Sequence, residues 1–147
     1  MITRENNDLI HKLDIGIYEV SIFVIGLVLP IILICIIKFT GQSEIVEEIA
    51  KTLVVLFVIL KASTWKLRLE GAMVFALLFG FSESMFYLAN LMGPEDHHVF
   101  LLRFVTTVPM HMVTVLIIFL FAELRKYLLA VGFVLATLVH LLFNFFV

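Results

Sequence analysis

The sequence predicts an all-α integral membrane protein, a bundle of about five transmembrane helices around an intramembrane polar site. Three observations lead there. Of the 147 residues, 63% are hydrophobic and 15% charged, with a mean hydropathy of +1.16, whereas soluble domains are about half apolar and about a quarter charged. The apolar residues fall in runs long enough to cross a hydrocarbon core of about 30 Å at about 1.5 Å per residue. Within those runs stand a few acids, histidines and amides, and ionisable groups at membrane depth are costly enough to mark function.

Composition also excludes. A formal net charge of −2 supplies no basic patch for nucleic acid. The single cysteine, Cys35, rules out an intramolecular disulfide and a cysteine metal cluster.

Taken in order, residues 1–14 read as a cytoplasmic tail or surface helix, with Arg4, Glu5, Asp8, Lys12 and Asp14 among them, and residues 15–147 as a single five-helix transmembrane domain. The apolar run after the tail is too long for the h-region of a signal peptide. The first span, Ile15 to Ile37, is polar only at Glu19 and Ser21. It contains Pro30, a kink of the kind neighbouring helices tolerate in a membrane. Lys38 to Gly41 predicts a turn, Ser43 an N-cap, and Glu44 to Ala62 the second helix. Lys61, Lys66 and Arg68 then surround Trp65, as suits the headgroup region.

The third span runs from Gly71 to Met92 and is followed by a loop carrying Glu95, Asp96, His97 and His98. A solvated loop is the plainer reading of that histidine pair. The fourth span, Val99 to Phe121, contains Pro109, and the fifth runs from Tyr127 to Val147. Basic residues concentrate on the side of the N-terminus, at Arg4, Lys12, Lys61, Lys66, Arg68, Arg125 and Lys126; the other side holds Lys38, Lys51 and Arg103. By the positive-inside rule the N-terminus is cytoplasmic and the C-terminus outside, in the cell membrane.

That topology places several polar groups in one layer. On the second helix Glu44, Glu47, Glu48 and Lys51 follow steps of three and four, so Glu47 and Lys51 can share a face. A solvated helix end with a local ion pair is the bland alternative. On the third helix Phe79, Glu83 and Tyr87 fall four apart, with Asn90 beyond. Glu83 lies roughly 18 Å from the cytoplasmic surface, too deep to snorkel. Its bland reading is a protonated acid bonded across helices. His111 follows Pro109 on the fourth helix, and His140 and Asn144 lie four apart on the fifth. Each histidine alone reads as an interhelical hydrogen-bonder, but together with Glu47 and Glu83 they bring acid, base or ligand groups from four helices to one depth. Glu19 stays unassigned.

These residues carry a family resemblance. Glu47-Glu48-Ile49-Ala50-Lys51 resembles an EExxK motif, Phe79 to Glu83 an FxxxE motif, and His111 and the stretch His140 to Asn144 the later histidine motifs of PrsW-type intramembrane proteases, in the broad superfamily of CAAX prenyl endopeptidases and bacteriocin-immunity-type membrane proteins. The order holds over roughly Ser43 to Asn144. Ser84 stands where the family often has Asn after the second motif, and Val115 where it has a small polar residue after the third.

The resemblance implies proteolysis of a membrane-embedded or juxtamembrane peptide bond on the outer side, with the lipid bilayer and a membrane-protein or peptide substrate as partners. Its site residues would be Glu47, Glu48, Glu83, His111, His140 and Asn144. A carboxylate acting on water suits general base catalysis, here assigned to Glu47, and histidines with an asparagine opposite suit a developing oxyanion. A metal version places Zn²⁺ on Glu83, His111 and His140 with Glu47 as base, since three protein ligands and an open position is the usual catalytic arrangement. Metal-dependent and metal-free versions both stay open, as do a non-catalytic scaffold or immunity protein of the same fold and a proton or metal-ion carrier. Substrate and oligomeric state are not legible.

Overall fold

The computed structural model describes the backbone of residues 2–91 and 97–146 and the side chains of residues 13–89, 101–102 and 104–146. The described residues form five long helices: α1 Ile2–Thr40, α2 Ser43–Lys61, α3 Trp65–Leu91, α4 His97–Leu124 and α5 Leu129–Phe146, the last preceded by a 3₁₀ turn at Lys126–Leu128. Every described element is helical, as the runs of apolar residues predict. The expectations for Glu95, Asp96, and the side chains of Arg4, Glu5, Asp8, Lys12, Asn90, His97, His98 and Arg103 lie outside the described residues; the backbone of His97 and His98 forms the first turn of α4.

Boundaries differ in detail. α1 runs unbroken from Ile2 through Pro30 to Thr40, and the turn into α2 is made by Gly41 with a φ of 71°, a left-handed conformation open to glycine without a Cβ clash. Gln42, not Ser43, occupies the N-cap position and makes no side-chain cap; Ser43 opens the helix one residue later than a capping role requires.

Among the described residues, four stretches are long and apolar enough to cross a membrane: Leu13–Thr40, Trp65–Ala89, Phe104–Leu124 and Lys126–Phe146. The protein is an integral membrane protein. α2 is 19 residues long but carries Glu44, Glu47, Glu48, Lys51 and Lys61, and its polarity is turned inside out. Glu48 and Lys51 are fully buried, whereas Leu53 and Leu60 are 62% and 66% exposed and Ile45 and Ile49 also face outward. A soluble amphipathic helix does the reverse. Such an arrangement is stable where the surroundings are lipid and the polar partners lie within the bundle.

α2 touches all four other long helices, while α3 packs along α1 and α4, and α5 along α4. The common core is apolar: Val54, Val55 and Val58 of α2 meet Phe75 and Phe79 of α3, Ile118 and Phe119 of α4 and Ala136 of α5. Close crossings use glycine, as membrane helix pairs do when backbones approach. A Cβ on Gly26 would lie 2.8 Å from Leu78 Cβ, and one on Gly132 would lie 2.9 Å from Phe121 Cβ. At one end Arg68 ties the bundle together, donating to the Ala62 carbonyl at 2.8 Å and to Glu123 Oε1 at 3.0 Å. The polar site occupies the other half, where α1 ends and α2 begins.

Candidate active site

Successive residues of a helix project about 100° apart, so the adjacent acids of α2 address different neighbours. Glu47 faces α3 and α4; Glu48 faces α5. Each forms its own cluster.

In the first cluster, Glu47, Glu83 of α3 and His111 of α4 bring one donor atom each within 4.8 Å of one another. Glu83 Oε2 and His111 Nε2 are 2.5 Å apart, yet neither has a hydrogen-bond partner in an aligned geometry, and Glu47 Oε2 is likewise unpartnered. Buried polar atoms are normally paired. Three donors converging on one point with none in an aligned hydrogen bond are therefore suited to a group that accepts all three. His111 is fully buried, whereas the Glu83 side chain is 37% exposed because it opens onto the cavities described below.

Glycine sets the depth of His111. A Cβ on Gly80 of α3 would meet both Val108 Cα and His111 Cδ2 at 3.0 Å, so α4 sits against bare α3 backbone. The ring also packs against Phe79, centroid to centroid at 5.1 Å, and against the His140 ring at 5.6 Å.

In the second cluster, Glu48 Oε1 accepts from Lys51 Nζ at 2.6 Å and lies 2.8 Å from His140 Nδ1. Lys51 also reaches Thr114 Oγ1 at 3.4 Å and stands over the Phe79 ring at 5.2 Å. A buried ammonium survives only with such compensation. A carboxylate against Nδ1 holds the proton there and leaves Nε2 as the acceptor nitrogen. That nitrogen lies 3.8 Å from Glu47 Oε2, so the second cluster aims a basic nitrogen at the first.

Two cavities flank the carboxylates. One, of about 370 Å³, lies between α1 and α3 and is lined by apolar side chains including Leu33, Ile34, Ile37 and Phe86. The other, of about 250 Å³, lies toward α4 and α5 and is lined by Thr107, Met110, His140, Phe143 and Asn144. Ser43, Glu47 and Glu83 border both. At the rim Asn144 donates to Glu44 Oε1 at 2.9 Å.

A family model described as PrsW family intramembrane metalloprotease matches residues 34–147. The chain belongs to this family. Comparison with curated proteins and with solved structures gives no match. The matched region takes in the end of α1 and all of α2 to α5, and thus every residue of both clusters. A metalloprotease family implies a metal, and the first cluster fits one: two carboxylate oxygens and an imidazole nitrogen are hard-to-borderline donors of the kind zinc takes, and Glu47, Glu83 and His111 each present a buried atom without a hydrogen bond.

Within this PrsW-family site, Glu47, Glu48, Glu83, His111 and His140 all stand within one polar layer, and Asn144 stands at its rim. The expected ligand set of Glu83, His111 and His140 and the observed cluster share two members; the structure brings Glu47 rather than His140 into the converging trio. Lys51, which can share a face with Glu47, forms its ion pair with Glu48 three residues before it, and it is fully buried, so the alternative of a solvated helix end does not apply. Thr114 and Thr107 join the site unmarked in the sequence reading, and Ser43 joins it as a cavity residue rather than as a cap. Thr114 could have been found from its position, since it lies one helical turn after His111 on the same face. Glu19 is exposed on the far half of α1 and borders neither cavity.

Proposed function

We propose that the chain hydrolyses a peptide bond of a membrane-embedded or juxtamembrane protein in the outer half of the cell membrane, with its N-terminus cytoplasmic. The observation that carries this reading is the convergence of three donors, Glu47, Glu83 and His111, none of them in an aligned hydrogen bond, in a site bordered by two cavities. Those residues would hold a divalent metal, Zn²⁺ by donor type. Bound there, it would supply a Lewis acid for the peptide carbonyl and make water acidic enough to ionise near neutral pH.

The remaining residues prepare the reaction. Glu48 fixes the His140 proton on Nδ1, so Nε2 can take a proton from the attacking water and return it to the leaving amine. Lys51 holds Glu48 in place from the protein side. Asn144 gives one N–H to Glu44 and has a second, which would donate to the developing oxyanion over the polar cavity. Glu47, Glu48, His111 and His140 are buried, and the lower local dielectric strengthens each of these interactions.

The test is degradation of peptides by the purified protein in liposomes. Incubation with a mixed library of transmembrane and juxtamembrane peptides, read by mass spectrometry, should yield products that vanish with Glu83→Gln and with a zinc chelator. Products that survive Glu83→Gln would overturn the assignment, and proton or metal flux through vesicles without any cleavage would favour a carrier.

A further inference from the structure

Glu47 and Glu83 form a shared wall between two cavities of opposite character. On one side, Pro30, Leu33, Ile34 and Ile37 of α1 face Phe79, Phe86 and Tyr87 of α3, so that apart from the shared residues and the Tyr87 hydroxyl the lining is hydrocarbon and aromatic. On the other, Thr107, His140 and Asn144 add a hydroxyl, an imidazole and an amide, with Met110 and Phe143 beside them. The cavities are not independent pits, because Ser43, Glu47 and Glu83 border both. A chain running from one to the other must pass the converging donors.

We infer that the protein selects an amphipathic cleavage segment, one that places a bulky apolar side chain in the α1–α3 cavity and polar side chains in the α4–α5 cavity, with the scissile bond across Glu47 and Glu83. This inference rests on the peptidase reading above and adds the substrate class to it. The physical ground is desolvation. A hydroxyl or amide entering the α1–α3 cavity loses water and, away from Tyr87 and the shared Ser43, Glu47 and Glu83, meets only aliphatic and aromatic walls, which disfavours it. A leucine or phenylalanine there gains burial instead. In the α4–α5 cavity the balance reverses, since a polar side chain meets donors and acceptors, whereas an apolar one covers them. Such a segment occurs where a transmembrane helix leaves the hydrocarbon core, since apolar residues give way to polar ones there.

The cavities also differ in how they can be altered without touching the proposed chemistry. Ile34 is a half-buried aliphatic residue of α1, separate from both polar clusters. Ile34→Trp would fill the cavity and Ile34→Ala would enlarge it, in opposite senses. Leu53→Trp, on the exposed face of α2, is the control.

Three sets of internally quenched peptides in detergent micelles test the inference: half apolar and half polar in either chain sense, uniformly apolar, and uniformly polar. The mixed set should be cleaved with kcat/KM about tenfold or more above both uniform sets, the scale set by burying one large apolar side chain. Ile34→Trp should raise KM for peptides with Leu or Phe at the apolar flank and shift preference to Ala or Gly, Ile34→Ala should favour Phe and Trp, and Leu53→Trp should behave as wild type. Equal cleavage of uniform and mixed sets, or a flank preference unmoved by both Ile34 variants, would overturn the inference and leave the peptidase reading standing. If the wild type cleaves nothing, that reading fails, and the segment preference is decided by binding: fluorescence polarisation of the same peptides should still favour the mixed set and weaken with Ile34→Trp, and binding without that discrimination would overturn it as well.

Discussion

Glu48 and His140, 92 positions apart in sequence, meet at 2.8 Å between Oε1 and Nδ1. The contact joins α2 to α5 inside a site where Glu48 is also paired with Lys51 at 2.6 Å. One carboxylate oxygen therefore holds both the ammonium and the imidazole. Its removal would undo a charge pair and a ring orientation together.

The stability consequence follows from the burial of Lys51. Glu48→Ala leaves an ammonium inside the bundle whose remaining direct contacts are Thr114 and the Phe79 ring, and breaking one partner of a buried pair costs about 3–5 kcal/mol. Thermal unfolding in detergent should show that loss. Adding Lys51→Met removes the stranded charge and should restore most of it. A double mutant no more stable than Glu48→Ala would mean that Lys51 is compensated elsewhere.

Gly80 offers a wedge that changes no ionisable side chain itself. A methyl at this position would stand 3.0 Å from Val108 Cα and His111 Cδ2, so α4 must shift by a few tenths of an ångström and carry His111 with it. Small displacements of a positioned group are expensive in rate, about 10²-fold for about 1 Å. Gly80→Ala should therefore lower kcat well below wild type while the protein stays folded. Gly16→Ala, where an added Cβ meets nothing within 4 Å, should have little effect on either.

Orientation is checked by single-cysteine labelling with Cys35 replaced. A cysteine at Gln42, in the turn between α1 and α2, should react from outside only, and one at Ser63, between α2 and α3, from the cytoplasm only. The basic-residue asymmetry predicts this pattern. Its inverse would place both clusters in the cytoplasmic half and move the proposed cleavage there.

Much of this architecture was legible because lipid imposes one rule on the backbone: an apolar run of sufficient length becomes a helix. That rule needs no tertiary knowledge, so α1, α3, α4 and α5 could be read from hydropathy, and the polar layer from acids and histidines set at similar depths. Lys51 shows where local reasoning stops. Helix geometry lets it pair with Glu47 or with Glu48 equally well. The choice falls to Glu48 because Phe79 of α3 and Thr114 of α4 receive the ammonium on that side, and both contacts depend on helix crossings absent from the local pattern. Glu47 and His140 exchange places in the converging trio for the same reason. Their common depth could be inferred, but which of them meets Glu83 and His111 depends on how α2 is rotated in the bundle.

The two histidines are the sharpest discriminator, because the geometry gives them unlike duties. His111 Nε2 converges with Glu47 and Glu83, whereas His140 is held through Nδ1 by Glu48 with Nε2 on the Glu47 side. His111→Ala should therefore abolish turnover and also reduce bound zinc, measured by elemental analysis of the purified protein, to background. His140→Ala should retain the metal and lose turnover by about 10²-fold or more, the usual scale of general acid–base catalysis. Glu47→Gln should behave like His111→Ala, since an amide oxygen is a poorer metal ligand than a carboxylate, and Glu48→Gln like His140→Ala, since it alters the group that fixes the ring proton. Metal loss in His140→Ala together with full metal content in Glu47→Gln would return His140 to the ligand set and Glu47 to the role of base.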